Sequence, residues 1–199
     1  MARTYTMLPS DVIAKARVLV GDARSDMGYR DDDSRFLGWI NDCLNAAVAT
    51  APGLFGASGT HTCAAGYAQT IDADRAVALL GVVGLHEGDA DALSEFSPGW
   101  QSGTAGTPEE WMRAPGETLR FFTYPPAAGG ETLPIRFVRS PTKITDTATP
   151  IELPEAFEPA IVDYLAGRCS LQDDEHVQSE RGVQLMASFV GVCKALTGA

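Results

Sequence analysis

Apolar positions near the N-terminus repeat with the spacing of two amphipathic helices. The first predicted helix is capped by Ser10 and ends near Gly21. Its apolar positions are Val12, Ile13, Ala16, Leu19 and Val20. The second helix follows Asp31-Asp32-Asp33, whose carboxylates suit a helix N-terminus, and ends at Ala51-Pro52-Gly53. Its apolar positions are Phe36, Leu37, Ile40, Leu44 and Val48.

Helical spacing returns near the C-terminus. Pro159 suits a first helical turn, and Ile161, Tyr164, Leu165 and Cys169 follow it on one face. Asp173-Asp174-Glu175 then precedes the last predicted helix, whose apolar positions are Leu185, Met186, Phe189, Cys193 and Leu196. Because each helix pair has an apolar stripe to bury, we expect residues 1–55 and 151–199 to pack as one helical body.

The middle of the chain, residues 56–150, is rich in Gly, Pro and Thr and has strand-like patterns. The apolar run Val77 to Leu85 predicts a buried strand. Alternation over 119–124 and again over 133–138 predicts two strands of a hairpin, with Pro125-Pro126 to Gly129-Gly130 as its wide loop. Residues 86–117 read as an irregular exposed segment. The fold class is therefore α+β: a four-helix body formed by the N- and C-terminal helix pairs, with a central inserted β-rich lobe.

Composition narrows the classes of function. Hydrophobic residues make up 45% of the 199 residues, without a run long enough for a membrane span, and the first residues lack the pattern of a signal peptide. We therefore expect synthesis in the cytoplasm. A formal net charge of −11 disfavours tight binding to nucleic acid, which depends on Lys and Arg. The four cysteines are scattered singly, which favours free buried thiols.

Candidate chemistry is sparse. His61-x-Cys63 offers two ligands where a stable zinc site needs three or four. Helix capping explains the acidic runs at 31–33 and 173–175 with fewer assumptions than a divalent-cation site does. The sequence has neither a phosphate-binding glycine loop nor a GxSxG nucleophile motif, and neither His86 nor His176 lies in a recognisable catalytic motif. Carboxylates that are paired only in space, as in glycoside hydrolysis, stay possible in so acidic a chain.

Two interpretations apply to the tryptophans: a ligand-binding aromatic face, or buried packing, which is favoured for Trp39. The tryptophans are Trp39, Trp100 and Trp111. We predict neither catalytic residues nor a metal or cofactor.

Several segments, taken in order, resemble the head-to-tail adaptor (connector) proteins of tailed bacteriophages. Residues 30–42 resemble the acidic start and Leu-x-Trp-Ile-Asn-Asp pattern of that family's second helix, and residues 51–55 resemble its exit. Residues 65–69, 78–83, 98–100 and 121–126 are similar to successive strands and turns of its β lobe, and residues 164–175 to its helix junction. Each motif is weak alone, but their order covers nearly the whole chain. The positions that carry the resemblance are Trp39, Asn41, Asp42, Gly66, Gln69, Trp100, Tyr124, Pro125, Pro126, Tyr164, Arg168, Asp173 and Glu175. Gly167 and Cys169 depart from the family pattern, which has a larger residue and an Ala there.

The resemblance implies a structural virion protein, closest to the tail tubular or gatekeeper ring proteins of short-tailed phages. Such a protein forms a ring of about twelve copies beneath the portal protein, at the neck between head and tail, and meets the tail nozzle. DNA passes through its lumen without tight binding. The alternative is a free-standing binding module or small hydrolase with residues 86–117 as a lid.

Arg168 lies in an otherwise apolar helical stretch, which leaves two interpretations. It ties its helix to acids at the junction or to a neighbouring subunit, or it is a solvated residue whose stem only packs.

Overall fold

The computed structural model describes residues 5–21, 32–172 and 179–197. Within these ranges the chain forms helices, seven strands and short 3₁₀ turns. The helices are α1 (Pro9–Leu19), α2 (Asp33–Thr50), α3 (Ala90–Phe96), α4 (Glu158–Gln172) and α5 (Ser179–Thr197). The strands are β1 (Gly56–Thr62), β2 (Gly66–Thr70), β3 (Ala76–Val82), β4 (His86–Glu87), β5 (Glu110–Arg113), β6 (Arg120–Ala127) and β7 (Thr132–Arg139). None of the described helices is both long and apolar enough to cross a bilayer.

The chain divides into two compact units. The helical unit comprises Met1–Leu54 and Pro141–Ala199, and the β unit comprises Phe55–Ser140. The α+β class, with a β lobe inserted between N-terminal and C-terminal helices, is confirmed. Residues 141–150, assigned to the β-rich lobe on the sequence pattern, fall within the helical unit.

In the helical unit, α4 is the central element. It contacts α1, α2 and α5, which explains why its buried positions are not confined to one face. Buried side chains from these helices form the core, and Phe36, Ile40, Leu44, Phe157, Leu165 and Phe189 are among them. The predicted helix pairs therefore bury their apolar stripes against one another.

Two helix boundaries test the capping predictions. Asp32 is the N-cap of α2 and accepts a hydrogen bond from the Arg35 amide, as predicted; Asp31 lies outside the described residues. The prediction for Ser10 is wrong. The N-cap of α1 lies two residues earlier, at Leu8, which makes no side-chain capping bond, and the helix begins at Pro9. Pro9 needs no acceptor for an amide and has a helical φ, so it starts the helix without a polar cap.

The β unit contains two sheets, in which every strand pair is antiparallel except β4 with β5. One has the strand order β1-β7-β3 and the other β2-β6-β5-β4. Leu79, Ile135 and Phe137 of the first sheet share a buried core with Trp111 and Phe121 of the second. The two sheets therefore pack face to face through this core.

Two strand predictions need correction. The hairpin of 119–124 with 133–138 is wrong, because β6 runs through Pro125 and Pro126 and lies in a different sheet from β7. The run from Val77 to Leu85 is not fully buried. Val77 and Val83 are exposed, and only Leu79 and Val82 in β3 are buried.

The segment 86–117 is ordered rather than irregular. It contains β4, α3 and β5, and β5 pairs with β6 inside the second sheet. Its pairing partners are distant in sequence, which local patterns do not reveal. The prediction of four helices is also incomplete, since α3 forms in this segment as well.

Candidate assembly surfaces and the positions that support them

Asn41 fixes the segment that follows the last strand. Its side-chain carbonyl accepts a hydrogen bond from the Ile144 amide (2.8 Å), and its side-chain amide donates to the Ile144 carbonyl (2.9 Å). The same amide also donates to the Leu37 carbonyl (2.8 Å). Ile144 is buried, so these bonds satisfy backbone groups that water does not reach. Asn41 therefore holds residues of the returning chain against α2.

Asp42 and Arg168 join α2 to α4. An Arg168 guanidinium nitrogen lies 2.6 Å from an Asp42 carboxylate oxygen, and the two side chains are 34% and 51% exposed. The guanidinium carbon also lies 6.0 Å from the centre of the Tyr164 ring. In the described part of the chain, the buried Nε of Arg168 has no hydrogen-bond partner. The observed partner of Arg168 is thus Asp42, while the junction residues Asp173 and Glu175 lie outside the described ranges.

Trp39 and Tyr164 are packing residues in the helical unit. Trp39 is buried and meets Phe36 edge to face at 5.2 Å, which confirms the packing interpretation. Tyr164 is buried against Phe189, with ring centres 5.6 Å apart. Burial raises the pKa of the Tyr164 hydroxyl.

Gln69 organises the turn between β1 and β2. Its side-chain carbonyl accepts from the Ala64 amide (2.8 Å), and its amide nitrogen donates to the carbonyls of Ala64 and Gly66, each at 2.9 Å. Gly66 has a φ of +110°, which favours glycine there. Gln69 is buried, and a ring nitrogen of His61 lies 3.3 Å from its oxygen. The turn is closed by one side chain that satisfies three backbone groups.

His61 and Cys63 lie within this packing. The His61 ring meets Phe121 edge to face at 5.4 Å, and Cys63 is buried in the core. Burial, with the nearby Glu131 carboxylate, raises the pKa of the Cys63 thiol. Over residues 5–21, 32–172 and 179–197, no three His, Cys, Asp or Glu side chains group as metal ligands would.

Trp100 is the centre of an aromatic cluster in the β unit. Its ring lies 5.4 Å from Tyr67, 6.1 Å from Phe122 and 6.4 Å from Tyr124, centre to centre. Its indole nitrogen donates to the Ser94 hydroxyl (3.0 Å), which ties the cluster to α3. Beside it is an open hollow of about 350 Å³, lined in part by Tyr124, Pro125 and Pro126.

The three tryptophans do not form a ligand-binding face. All three are buried, and Trp111 lies with Phe121 in the core between the sheets. The lid interpretation for residues 86–117 is also unsupported, because β5 in that segment is a paired strand of the second sheet. Among the described residues, the perturbed carboxylates are those of capping and turn positions. Hydrogen bonds from Ser34 and Arg35 lower the pKa of Asp32, and hydrogen bonds from Thr149 and Ala148 lower that of Asp146.

Some large apolar side chains are exposed. Phe96, at the end of α3, is 87% exposed. In the helical unit the exposed apolar side chains are Val18, Leu19, Leu171 and Val183, and in the β unit Val77 and Val83 accompany Phe96. Leu19 was predicted on the packed face of α1 and instead faces solvent in the described structure.

Comparison with known protein families gives a match along nearly the whole chain. Residues 5–191 match the model of the family described as SU10 adaptor protein. None of the curated proteins searched individually gives a match. The matched range covers the whole β unit and most of the helical unit. The chain belongs to the SU10 adaptor protein family and is a structural adaptor protein of a bacteriophage.

Proposed function

We propose that this protein forms a ring at the neck of the phage particle, beneath the portal protein, and links it to the tail nozzle. The observation that carries the proposal is the adaptor-family match over residues 5–191. The ring has about twelve copies and leaves a channel for DNA. We place it closest to the tail tubular or gatekeeper ring proteins of short-tailed phages, following the sequence resemblance.

The architecture supports a ring. In a ring, one face of each subunit meets a different face of the next, and two structurally distinct units offer different faces. The exposed apolar residues Leu171 and Val183 of the helical unit and Phe96 of the β unit are available for such contacts. An interface of this kind buries more than about 1,000 Å² of combined surface.

The charge supports passage of DNA without tight binding. The chain has 15 Lys and Arg and 26 Asp and Glu, which gives a net charge of −11 per copy. A ring multiplies this charge, so phosphates are repelled at short range, while screening over about 8 Å at physiological salt keeps the barrier low. We assign Arg136 and Arg139 to subunit or portal contacts rather than to DNA.

Native mass spectrometry of the protein, alone and with the portal and nozzle proteins of the same virus, tests this function. We expect monomer alone and a closed ring on the portal. A stable dimer that persists beside the portal contradicts the proposal.

A duplex-DNA titration at about 0.15 M salt, with a magnesium-dependent nuclease assay, tests the channel. We expect binding weaker than micromolar and intact strands. Sub-micromolar binding or cleavage contradicts passive passage and favours an enzyme.

A further inference from the structure

Strand β1 is an edge strand without the usual protection. In the described chain it pairs only with β7, in an unbroken register from Gly56 opposite Val138 to Thr62 opposite Thr132. Its sequence, Gly-Ala-Ser-Gly-Thr-His-Thr, contains neither Lys, Asp, Glu nor Pro. Natural edge strands are commonly blunted by charges, proline, bulges or a covering element. Strand β1 has no such charge, proline or bulge, and no described element pairs with its outer edge.

Pro134 shows which backbone groups of β1 are free. Pro134 lies opposite Thr60, and its carbonyl accepts a hydrogen bond from the Val83 amide on the other side of β7. Thr60 and Pro134 are therefore a pair that exchanges no backbone hydrogen bonds. It follows that the Thr60 N–H and C=O point away from β7.

Because the direction of the backbone N–H and C=O groups alternates along a strand, every second residue of β1 has the same orientation as Thr60. Cys63 donates to the Glu131 carbonyl at 2.8 Å and accepts from the Gly130 amide at 2.9 Å, so odd-numbered positions face β7. Ser58 and Thr62 therefore point their backbone groups outward, as Thr60 does. Their side chains are exposed as well. The described residues leave this row of backbone donors and acceptors open.

The opposite edge of the same sheet is covered. There, Arg113 donates to the carbonyls of Leu79 (3.0 Å) and Leu80 (3.2 Å). The Leu79 amide donates to the Thr118 carbonyl (2.8 Å). Edge β3 is thus occupied by the chain itself, whereas none of the described residues pairs with the outer edge of β1.

A cleft beside the open edge indicates the chemistry of an occupant. It has a volume of about 470 Å³ and lies between β1 and β2, with Thr60, Thr62, Gln69, Thr70 and Asp72 among its lining residues. Asp72 is the one lining residue with a formal charge at pH 7. A strand added to β1 directs alternate side chains over this cleft, where a Lys or Arg meets the Asp72 carboxylate. This chain has 15 Lys and Arg against 26 Asp and Glu, so at this cleft a segment rich in basic side chains is a better match for Asp72 than an average segment of a second copy.

We propose that the outer edge of β1 binds an extended segment of a different polypeptide by strand addition, with a basic side chain of that segment over the cleft at Asp72. Backbone hydrogen bonds to Ser58, Thr60 and Thr62 supply the register, and Asp72 selects for positive charge. This inference concerns one edge of the single chain and does not depend on ring formation or on the portal.

The test is a selection from a displayed library of random twelve-residue peptides on the full-length protein. Recovered peptides are then titrated against the wild type, Thr60→Pro and Thr60→Ala. Proline removes the outward N–H without touching a bond to β7, whereas alanine keeps it. We expect binding at least about tenfold weaker for Thr60→Pro and nearly unchanged for Thr60→Ala. Asp72→Asn should reduce the preference for Lys and Arg in the peptides.

Hydrogen exchange on the unmutated protein gives a second readout. In the free protein, the Ser58, Thr60 and Thr62 amides should exchange rapidly, while those of Ala57, Gly59 and His61 are protected by β7. A bound peptide should slow the first set at least about tenfold. The proposal is overturned if no peptide is recovered, if Thr60→Pro binds as well as Thr60→Ala while retaining its fold, or if the edge amides stay unprotected in the complex. Protection of the same amides by dimerisation of this chain, without peptide, also overturns it.

Discussion

Gly167 of α4 and Gly182 of α5 face each other where the two helices cross. A Cβ on Gly167 would lie 2.7 Å from the Gly182 carbonyl oxygen, and a Cβ on Gly182 would lie 2.9 Å from the Gly167 carbonyl oxygen. Contacts this short do not occur in real structures, so both positions need glycine for the helices to approach as they do. Gly167, a departure from the adaptor pattern, thus has a structural explanation.

Gly167→Ala should therefore destabilise the protein by about 1–3 kcal/mol, because the added methyl group pushes the backbone of α4 away from the backbone of α5. The measurement is a urea unfolding midpoint with its slope. Gly38→Ala in α2 is the matched control, since nothing lies within 4 Å of its Cβ position. That substitution should stabilise by about 0.5–1 kcal/mol through helix propensity. Equal effects of the two changes would contradict the close crossing.

Asn41→Ala should cost about 2 kcal/mol of unfolding free energy, because it leaves the buried amide and carbonyl of Ile144 without partners. Asn45→Ala, at an exposed position of the same helix, should change stability by less than about 0.5 kcal/mol. Hydrogen exchange of the Ile144 amide should accelerate only in the first variant. A wild-type exchange rate in Asn41→Ala would show that the segment is held by other contacts.

The Asp42–Arg168 pair should contribute little to stability by itself. Both side chains are partly exposed, so solvent screens the attraction, and a double-mutant cycle with alanine should give a coupling below about 1 kcal/mol. The coupling should fall further as salt is raised. A coupling of about 2 kcal/mol or more would show that the pair is buried in the assembled protein or by residues outside the described ranges.

Asp32 should make the stability of the folded protein depend on pH in the acidic range. Its folded-state pKa is lowered by hydrogen bonds from the Ser34 hydroxyl and the Arg35 amide, so its contribution is present at neutral pH and is lost as pH falls through the folded value. Asp32→Asn should keep the cap at neutral pH and flatten the acid side of the stability curve, since asparagine caps without titrating. Asp32→Ala should lower the melting temperature at neutral pH, and its difference from the wild type should shrink as pH falls through the folded-state pKa. Parallel acid limbs for the wild type and Asp32→Asn would contradict this assignment.

Phe96 should matter for assembly and not for folding. Because its ring is 87% exposed, Phe96→Ser should change the unfolding free energy by less than about 0.5 kcal/mol. If the ring fills a pocket on a partner, the same substitution should weaken association at least about tenfold in sedimentation with the portal and nozzle proteins. Glu95→Ser, at the adjacent exposed position, is the control. Unchanged assembly in Phe96→Ser would exclude this ring from the interface.

Local patterns predicted what depends on local physics. The cap at Asp32, the place of Pro159 in the first turn of α4 and the alternation of Leu133, Ile135 and Phe137 in β7 all follow from neighbouring residues. The sheet to which a strand belongs does not follow from neighbouring residues. Strands β6 and β7 alternate equally well in a hairpin or in separate sheets, so only long-range packing separates them.

The support residues were only partly predictable. The sequence marked Asn41, Gln69 and Arg168 through the family resemblance, but it did not identify Ile144, Ala64 or Asp42 as their partners, because those contacts join distant or turn residues. Gly182 was not singled out at all. A glycine inside a helix signals a close approach only when the facing helix is known.

The pairing of Gly56 with Val138 brings the two ends of the β unit side by side. The chain therefore leaves and re-enters the helical unit at neighbouring positions. The inserted β unit, Phe55 to Ser140, is 86 residues long, but its length does not move these two positions apart. Such an insertion is exchangeable: a shorter or longer β unit that keeps this terminal pair leaves the chain connection to the helices unchanged. Variation in what the protein contacts through its strands is thereby uncoupled from the packing of its helices.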